Sequence, residues 1–275
     1  MSGTKLNVIS LGAGVQSTTM ALMAAHGEIG PMPDCAIFAD TQWEPKAVYE
    51  HLKWLCSPNV LPFPVHLVTQ GNLRDLVGAK RPTGQYLRVD IPAFVTEEGN
   101  ASKAGMVNRS CTRDFKIVPI RRKVRELLGI TGKRSPTEPV VQQWIGISLD
   151  EAIRMKPSFE PWVEHRWPLI EKRMTRGDCL AWLARNGYPT PPKSSCIGCP
   201  FHSNAQWRAL TKEEMADAVE IDHRLRSEPP EAYRAKGRLY LHSSCRPLDQ
   251  VDFSTSEDHG QLNLFGNECE GMCGV

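Results

Sequence analysis

The sequence lacks the features that would place the protein in a membrane or in a secreted fraction. No apolar run approaches the ~20 residues that a helix needs to cross a bilayer, and residues 1–5 contain no hydrophobic stretch typical of a secretion signal. Internal repeats and low-complexity segments are also missing. The net charge of +2 is too small to indicate nucleic-acid binding by itself. We therefore expect a cytoplasmic protein with no membrane contact and an ordinary apolar core; the sequence leaves its oligomeric state open.

Two common phosphate-binding motifs are absent as well. The chain has no Gly-Lys-Ser/Thr loop, and its first glycines do not have the spacing of a dinucleotide fingerprint. A different glycine-bearing loop is present between a short apolar segment and a helical one. Backbone N–H groups at such a loop attract phosphate, although a plain tight turn is the alternative. The candidate phosphate-binding residues are Ser10, Gly12, Ala13, Gly14, Gln16 and Ser17.

The hydrophobic pattern alternates between strands and helices. Buried strands are indicated by apolar segments at 6–10, 35–39, 65–68 and 140–147. A helical pattern capped at Ser17 follows the first of these segments, and one that begins at Pro45 follows the second. The alternation predicts an α/β fold with a parallel sheet and helices on both faces. We expect a nucleotide-binding α/β domain at 1–190. A cysteine-rich, helical or irregular region at 191–275, ending in a mobile tail, is expected to pack on it.

Other segments have weaker patterns. Residues 78–110 are rich in glycine, proline and polar residues, which predicts a long loop or lid over a site. Residues 114–128 have a helical pattern despite Pro119, and so do residues 175–186 and 211–226. The region after Pro247 has little periodicity and is expected to be irregular.

Nine cysteines indicate a metal, a cluster or thiol chemistry, because a cytosolic protein rarely holds a disulfide framework. Cys196 and Cys199 form a Cys-x-x-Cys, in which we expect Gly198 to relieve the tight turn. Four thiolates suit a [4Fe–4S] cluster, and the candidate ligands are Cys111, Cys196, Cys199 and Cys245. Structural zinc, with His202 or His242 as a further ligand, stays an alternative, and so does a site without metal.

These motifs together resemble a known family. Asp40, Thr41 and Glu44 follow the second predicted strand as Asp-Thr-x-x-Glu, residues 109–116 form a basic segment around Cys111, and the Cys-x-x-Cys lies far downstream. In this order they are similar to the phosphoadenosine phosphosulfate (PAPS) reductase family of the adenine nucleotide α-hydrolase, or PP-loop, superfamily. The chain departs from the pattern in having Gln16 where related loops carry aspartate, and one cysteine where cluster-bearing reductases have an adjacent pair.

The resemblance implies an enzyme that binds an adenine nucleotide: PAPS, adenylyl sulfate, or ATP with Mg²⁺. Asp40, Thr41, Glu44, Arg113 and Lys116 would join the loop in binding it. The reaction implied first is reduction of a sulfonucleotide to sulfite, with thioredoxin or glutaredoxin as partner. In such reductases a tail cysteine attacks the sulfur, which by resemblance nominates Cys269 as nucleophile and Cys273 as resolving thiol.

Two other functions stay open. The alternative reaction is ATP-dependent iron–sulfur transfer to a nucleic acid, as in tRNA thiolation or DNA phosphorothioation, with the basic residues 121–125 as a contact. A nucleotide-binding module without turnover is the third possibility.

Overall fold

The computed structural model describes residues 5–77, 79, 91–96, 105–107, 109–228, 230–233, 235–255 and 258. The strands are β1 (Leu6–Leu11), β2 (Cys35–Asp40), β3 (Val65–Thr69), β4 (Phe94–Thr96), β5 (Gly105–Met106), β6 (Val141–Ile145), β7 (Val163–Arg166) and β8 (Arg238–Tyr240). The helices are α1 (Val15–Ala25), α2 (Lys46–Leu55), α3 (Leu73–Leu76), α4 (Val118–Leu127), α5 (Pro168–Glu171), α6 (Arg176–Arg185), α7 (Asn204–Arg208) and α8 (Lys212–Ser227).

The main sheet has the strand order β3-β2-β1-β6-β7, and every neighbouring pair is parallel. Parallel strands need helical crossovers that cover both faces, so successive side chains of a strand enter different cores. Ile9 of β1 packs with α1 and α6 on one face, while Val8 packs with Trp162 and α4 residues on the other. The α/β class with a parallel sheet and helices on both faces is confirmed.

A second, three-stranded antiparallel sheet has the order β5-β4-β8. β4 and β5 lie in the segment predicted to be an irregular loop or lid, and that prediction is wrong for residues 94–96 and 105–106. These strands are two or three residues long, too short for a periodic pattern to reveal. Because β8 pairs with β4, the cysteine-rich region is joined to the first half of the chain by a sheet.

Two helix starts differ from the sequence prediction. Helix α1 begins at Val15, and its N-cap is Gly14, three residues before the expected cap Ser17. The predicted helix at 114–128 changes its hydrogen-bonding type along its length. Residues Thr112–Ile117 form a π-helix, and the α-helix α4 follows directly. Pro119 is tolerated because it occupies the first turn of α4, where a missing N–H costs little. Among the helices described, none combines the length and hydrophobicity that a membrane span requires.

Candidate active site

The strand order creates a crevice at one position of the main sheet. The connections leaving β1 and β6 run in opposite directions across the sheet, and such switch points bind ligands at the carboxyl ends of strands. A cavity of about 140 Å³ lies there, lined by the ends of both strands and by the start of α1. Its polar lining includes Ser10, Gly12, Gly14, Gln16, Ser17 and Lys116, which were among the residues predicted to bind phosphate.

The loop after β1 is a turn that is fixed by internal hydrogen bonds. Ala13 adopts a left-handed conformation with φ of 57° and is fully buried. Ser17 Oγ accepts a hydrogen bond from the Gly12 amide at 3.1 Å and donates one to the Gly14 carbonyl at 3.3 Å. Ser17 therefore fixes the loop from within the first turn of α1, where the N–H groups of the helix N-terminus favour an anion.

Gly146, directly after β6, was missed by the sequence analysis. A Cβ atom at this position would lie 2.9 Å from both Ser17 Cα and Ser17 N. Real Cβ atoms do not approach backbone so closely, so only glycine allows β6 to pass this near to the start of α1. The sequence signal that could have identified Gly146 is its position at the end of a predicted strand.

The cavity is strongly cationic. Among the residues that the structure describes, four basic side chains line it against a single acid, Glu151. Glu151 is largely buried and forms an ion pair with Arg154 at 2.7 Å. The basic residues are Lys116, Arg154, Arg176 and Lys193, of which only Lys116 was predicted. A group bearing several negative charges suits this lining.

Gln16 joins two of these charged residues. Its Nε2 donates to Glu151 Oε2 at 3.3 Å, and its Oε1 accepts from Arg176 at 3.1 Å. A carboxylate at this position would face Glu151, and like charges at such a distance repel. Gln16 thus stands where the loops of the resembled family carry aspartate, and the acid near this position is Glu151, which follows β6.

A second cavity, of about 40 Å³, adjoins the first. Cys111, Cys196 and Cys199 all contribute to its lining. Lys116 and Ser194 line both cavities and mark the boundary between them. The chain therefore places three predicted metal ligands directly beside the predicted phosphate site.

Thr41 and Glu44 contact the cysteines and do not line the phosphate cavity. Thr41 Oγ1 is 3.3 Å from Cys196 Sγ, which in turn lies 3.7 Å from Glu44 Oε1. Glu44 also pairs with Lys116 at 3.8 Å. The pKa of the Cys196 thiol is raised, mainly because the thiol is buried and also because the Glu44 carboxylate is near. Any metal that binds this thiol must therefore displace its proton.

Other predicted residues lie elsewhere. Asp40 accepts hydrogen bonds from the Gln42 amide at 2.7 Å and from the Tyr49 hydroxyl at 2.8 Å, which fixes the turn after β2. Arg113 is largely exposed and pairs with Asp114. Cys245 is buried with its Sγ 3.8 Å from the Ser243 carbonyl, and it is not in the lining of the thiol cavity. Its role as fourth ligand stays a prediction. Cys269 and Cys273 lie outside the described residues.

Gly198 serves a different purpose from the one predicted. Its φ is not in the left-handed region; instead, a Cβ atom there would lie 2.1 Å from the Trp43 ring. The Trp43 carbonyl also accepts the Ile197 amide at 2.8 Å. The indole of Trp43 is held by Asp217 of α8. The Cys-x-x-Cys turn therefore packs against Trp43. Because Trp43 follows β2, this packing places Cys196 and Cys199 near the end of β2.

The donor chemistry of the thiol cavity fits a soft metal group, since three thiolates could converge there. Within the described part of the chain, however, no group of three or more His, Cys, Asp or Glu side chains is close enough to hold a single metal ion. His202, the further zinc ligand considered from the sequence, has its Nε2 2.9 Å from Ser195 Oγ.

Comparisons with solved structures include two whose similarity bears on this chain. No protein-family model matches the chain, and no curated protein matches it in sequence. A PAPS reductase from Candida auris, solved with phosphate, is 13% identical, with a TM-score of 0.41 over 68% of this chain and 75% of the reductase. The U34-tRNA thiolase NcsA from Methanococcus maripaludis, solved with its [4Fe–4S] cluster, is 14% identical, with a TM-score of 0.39 over 90% and 74%. The chain is thus similar in structure to a reductase of the family that its motifs resemble, and to a thiolase that carries a cluster.

Proposed function

We propose that this chain is an enzyme that activates an acceptor with ATP at the switch-point cavity and transfers sulfur to it from the thiol cavity. The observation that carries the proposal is the shared boundary of the two cavities at Lys116 and Ser194. A reaction that joins phosphate chemistry to sulfur chemistry needs both sites within reach of one acceptor atom.

The nucleotide would lie with its phosphates against the loop at residues 12–14 and the four basic side chains. Backbone N–H groups and cations would stabilise the charge that develops as the acceptor oxygen attacks the α-phosphate and pyrophosphate leaves. Sulfur would then replace the activated oxygen and release AMP. The balance is one ATP and one sulfide consumed, one C–O bond exchanged for C–S with the oxygen leaving on AMP, and AMP and pyrophosphate formed; no oxidant or reductant is needed because sulfide is already at the oxidation level of the product.

Cys111, Cys196 and Cys199, which line the thiol cavity, would hold a [4Fe–4S] cluster that would supply sulfur chemistry beside the phosphates. Sulfur transfer uses both cavities in one reaction, and their shared boundary supports it over the reduction that was predicted first.

Sulfonucleotide reduction is the second candidate, because the cations that would bind the phosphates of ATP would equally bind the sulfate of PAPS or adenylyl sulfate. A cysteine would attack the sulfur, the nucleotide would leave, and two thiols would be oxidised to a disulfide as sulfite is released. Cys269 and Cys273 remain the predicted pair, with thioredoxin or glutaredoxin as the reductant.

Product analysis separates the two. We expect anaerobic protein with ATP, sulfide and an acceptor to form AMP and pyrophosphate, and to form no sulfite from PAPS or adenylyl sulfate. Chromatography measures the nucleotides and a dye-based assay measures sulfite. Sulfite release that disappears in a Cys269→Ser, Cys273→Ser variant would overturn sulfur transfer in favour of reduction. Absence of turnover with every substrate would leave a binding module.

A further inference from the structure

The phosphate cavity is short of ligands for a divalent cation. The resemblance implies ATP with Mg²⁺, and Mg²⁺ usually takes one or two protein carboxylates in addition to phosphate oxygens. Among the residues that the structure describes, Glu151 is the carboxylate in the cavity lining. Its Oε1 pairs with Arg154 at 2.7 Å, and its Oε2 accepts a hydrogen bond from Gln16 at 3.3 Å. Both of its oxygens are therefore engaged by groups of the protein.

The other oxygen groups that the sequence placed near the phosphates are engaged as well. Asp40 accepts two hydrogen bonds in the turn after β2 and is not in the cavity lining. Glu44 lies beside the Cys196 thiol and lines neither cavity. The Ser17 hydroxyl is bonded to the backbone of the phosphate loop. Within the described part of the chain, the donor set of this cavity therefore does not fit a magnesium ion.

Arginines surround Gln16 where a metal ion would need acids. Arg176, the first residue of α6, donates from Nη1 to Gln16 Oε1 at 3.1 Å. Arg154 is joined to Gln16 through Glu151. Both arginines line the cavity. An aspartate at position 16 would make a pair of carboxylates with Glu151, which is a common Mg²⁺ site. The amide of Gln16 makes a hydrogen-bonded link to a guanidinium group instead.

We infer that the cavity binds its nucleotide without a divalent cation, and that Arg154 and Arg176 neutralise the phosphates in place of Mg²⁺. Guanidinium groups keep their charge at physiological pH and bind phosphate oxygens bidentately. A metal-free triphosphate is more negative than its magnesium complex, so a cationic lining favours it. The inference rests on the proposed function and deepens it, because it names the form in which ATP binds and the residues that select that form.

The test is isothermal titration calorimetry of full-length anaerobic protein with α,β-methylene ATP, an analogue that resists cleavage at the α-phosphate. Titrations in EDTA and in excess Mg²⁺ are compared, and binding in EDTA should be at least as tight. Arg176→Gln should weaken binding in EDTA at least about tenfold, as expected for the loss of one charge-assisted hydrogen bond. The matched control is Arg185→Gln, which removes an exposed charge from the last turn of the same helix and should bind as wild type does.

A substitution at Gln16 should create the metal dependence that the wild type lacks. Gln16→Asp places a second carboxylate beside Glu151, so binding in EDTA should weaken at least about tenfold through like-charge repulsion, and Mg²⁺ should restore it. Gln16→Asn has the same length as the aspartate variant without its charge, and it should show no dependence on Mg²⁺. Thermal unfolding identifies the variants that fold, and Arg176→Gln provides the test if Gln16→Asp does not.

The outcomes separate this inference from the proposed function. Wild-type binding that requires Mg²⁺ would overturn the inference and leave ATP-dependent sulfur transfer standing. Unchanged affinity of folded Arg176→Gln in EDTA, or equal affinity of Gln16→Asp and Gln16→Asn in EDTA, would also overturn it. Absence of binding under both conditions would overturn the inference and the proposed use of ATP together.

Discussion

Gly146→Ala is expected to reduce adenine-nucleotide affinity at least about tenfold. The added Cβ would lie 2.9 Å from Ser17 backbone atoms, so β6 and the start of α1 must separate. Ser17 fixes the phosphate loop through Gly12 and Gly14, and this separation would therefore displace the backbone N–H groups that face the phosphate. Overpacking of this kind typically costs about 1–3 kcal/mol. Isothermal titration calorimetry measures affinity, and thermal unfolding measures stability.

Gly30→Ala is the matched control for that experiment. Gly30 is exposed, lies outside the lining of the nucleotide cavity and does not have a left-handed φ. Its added Cβ would meet no atom within 4 Å. We expect unchanged affinity in this variant. A folded Gly146→Ala protein that binds nucleotide as wild type does would show that the phosphates lie away from the β1–β6 crevice.

The cysteine variants should divide into two classes. Protein purified without oxygen is expected to be brown with about four irons per chain, and Cys111→Ala, Cys196→Ala or Cys199→Ala should lose nearly all of that iron. Because these thiols must be bound together for the cluster to stay, the loss should also lower the thermal midpoint. Cys245→Ala should keep its iron, since Cys245 is absent from the lining of the thiol cavity. Iron analysis and visible absorption measure both classes.

Two outcomes would contradict this account. Loss of iron in Cys245→Ala equal to that in Cys196→Ala would make Cys245 the fourth ligand, as the sequence first indicated, and would contradict a group held only by thiols of the cavity. One zinc per chain in colourless anaerobic protein would replace the cluster altogether and leave sulfur delivery to a thiol.

Local patterns were sufficient for the framework of the fold. Strand β2 is an apolar, buried run that ends at Asp40, and β1 has its buried apolar residues at Val8, Ile9 and Leu11. The phosphate loop lies between β1 and α1, in residues adjacent to both. The Cys-x-x-Cys motif likewise indicates metal or thiol chemistry from four consecutive residues. Such features depend on neighbours in the chain, so a single sequence reveals them.

The remainder of the site depends on contacts between distant segments. Gln16 contacts Glu151 and Arg176, more than 130 positions away in the chain. Gly198 faces the Trp43 ring, and Gly146 faces Ser17. Each of these residues has an ordinary local explanation, as a turn glycine or a helix-start acid, and only the packing of the sheet reveals the other role. Position after a strand at the sheet's carboxyl edge was the signal that could have identified Gly146 and Glu151.

The most direct test of the account is a crystal structure of anaerobic protein with an ATP analogue, with diffraction recorded at the iron absorption edge. We predict phosphate density against Gly12–Gly14 and Lys116, and an anomalous iron peak among Cys111, Cys196 and Cys199 in the adjoining cavity. Phosphates bound away from the β1–β6 crevice, or iron absent from those three thiols, would contradict the claim that this site joins nucleotide and sulfur chemistry.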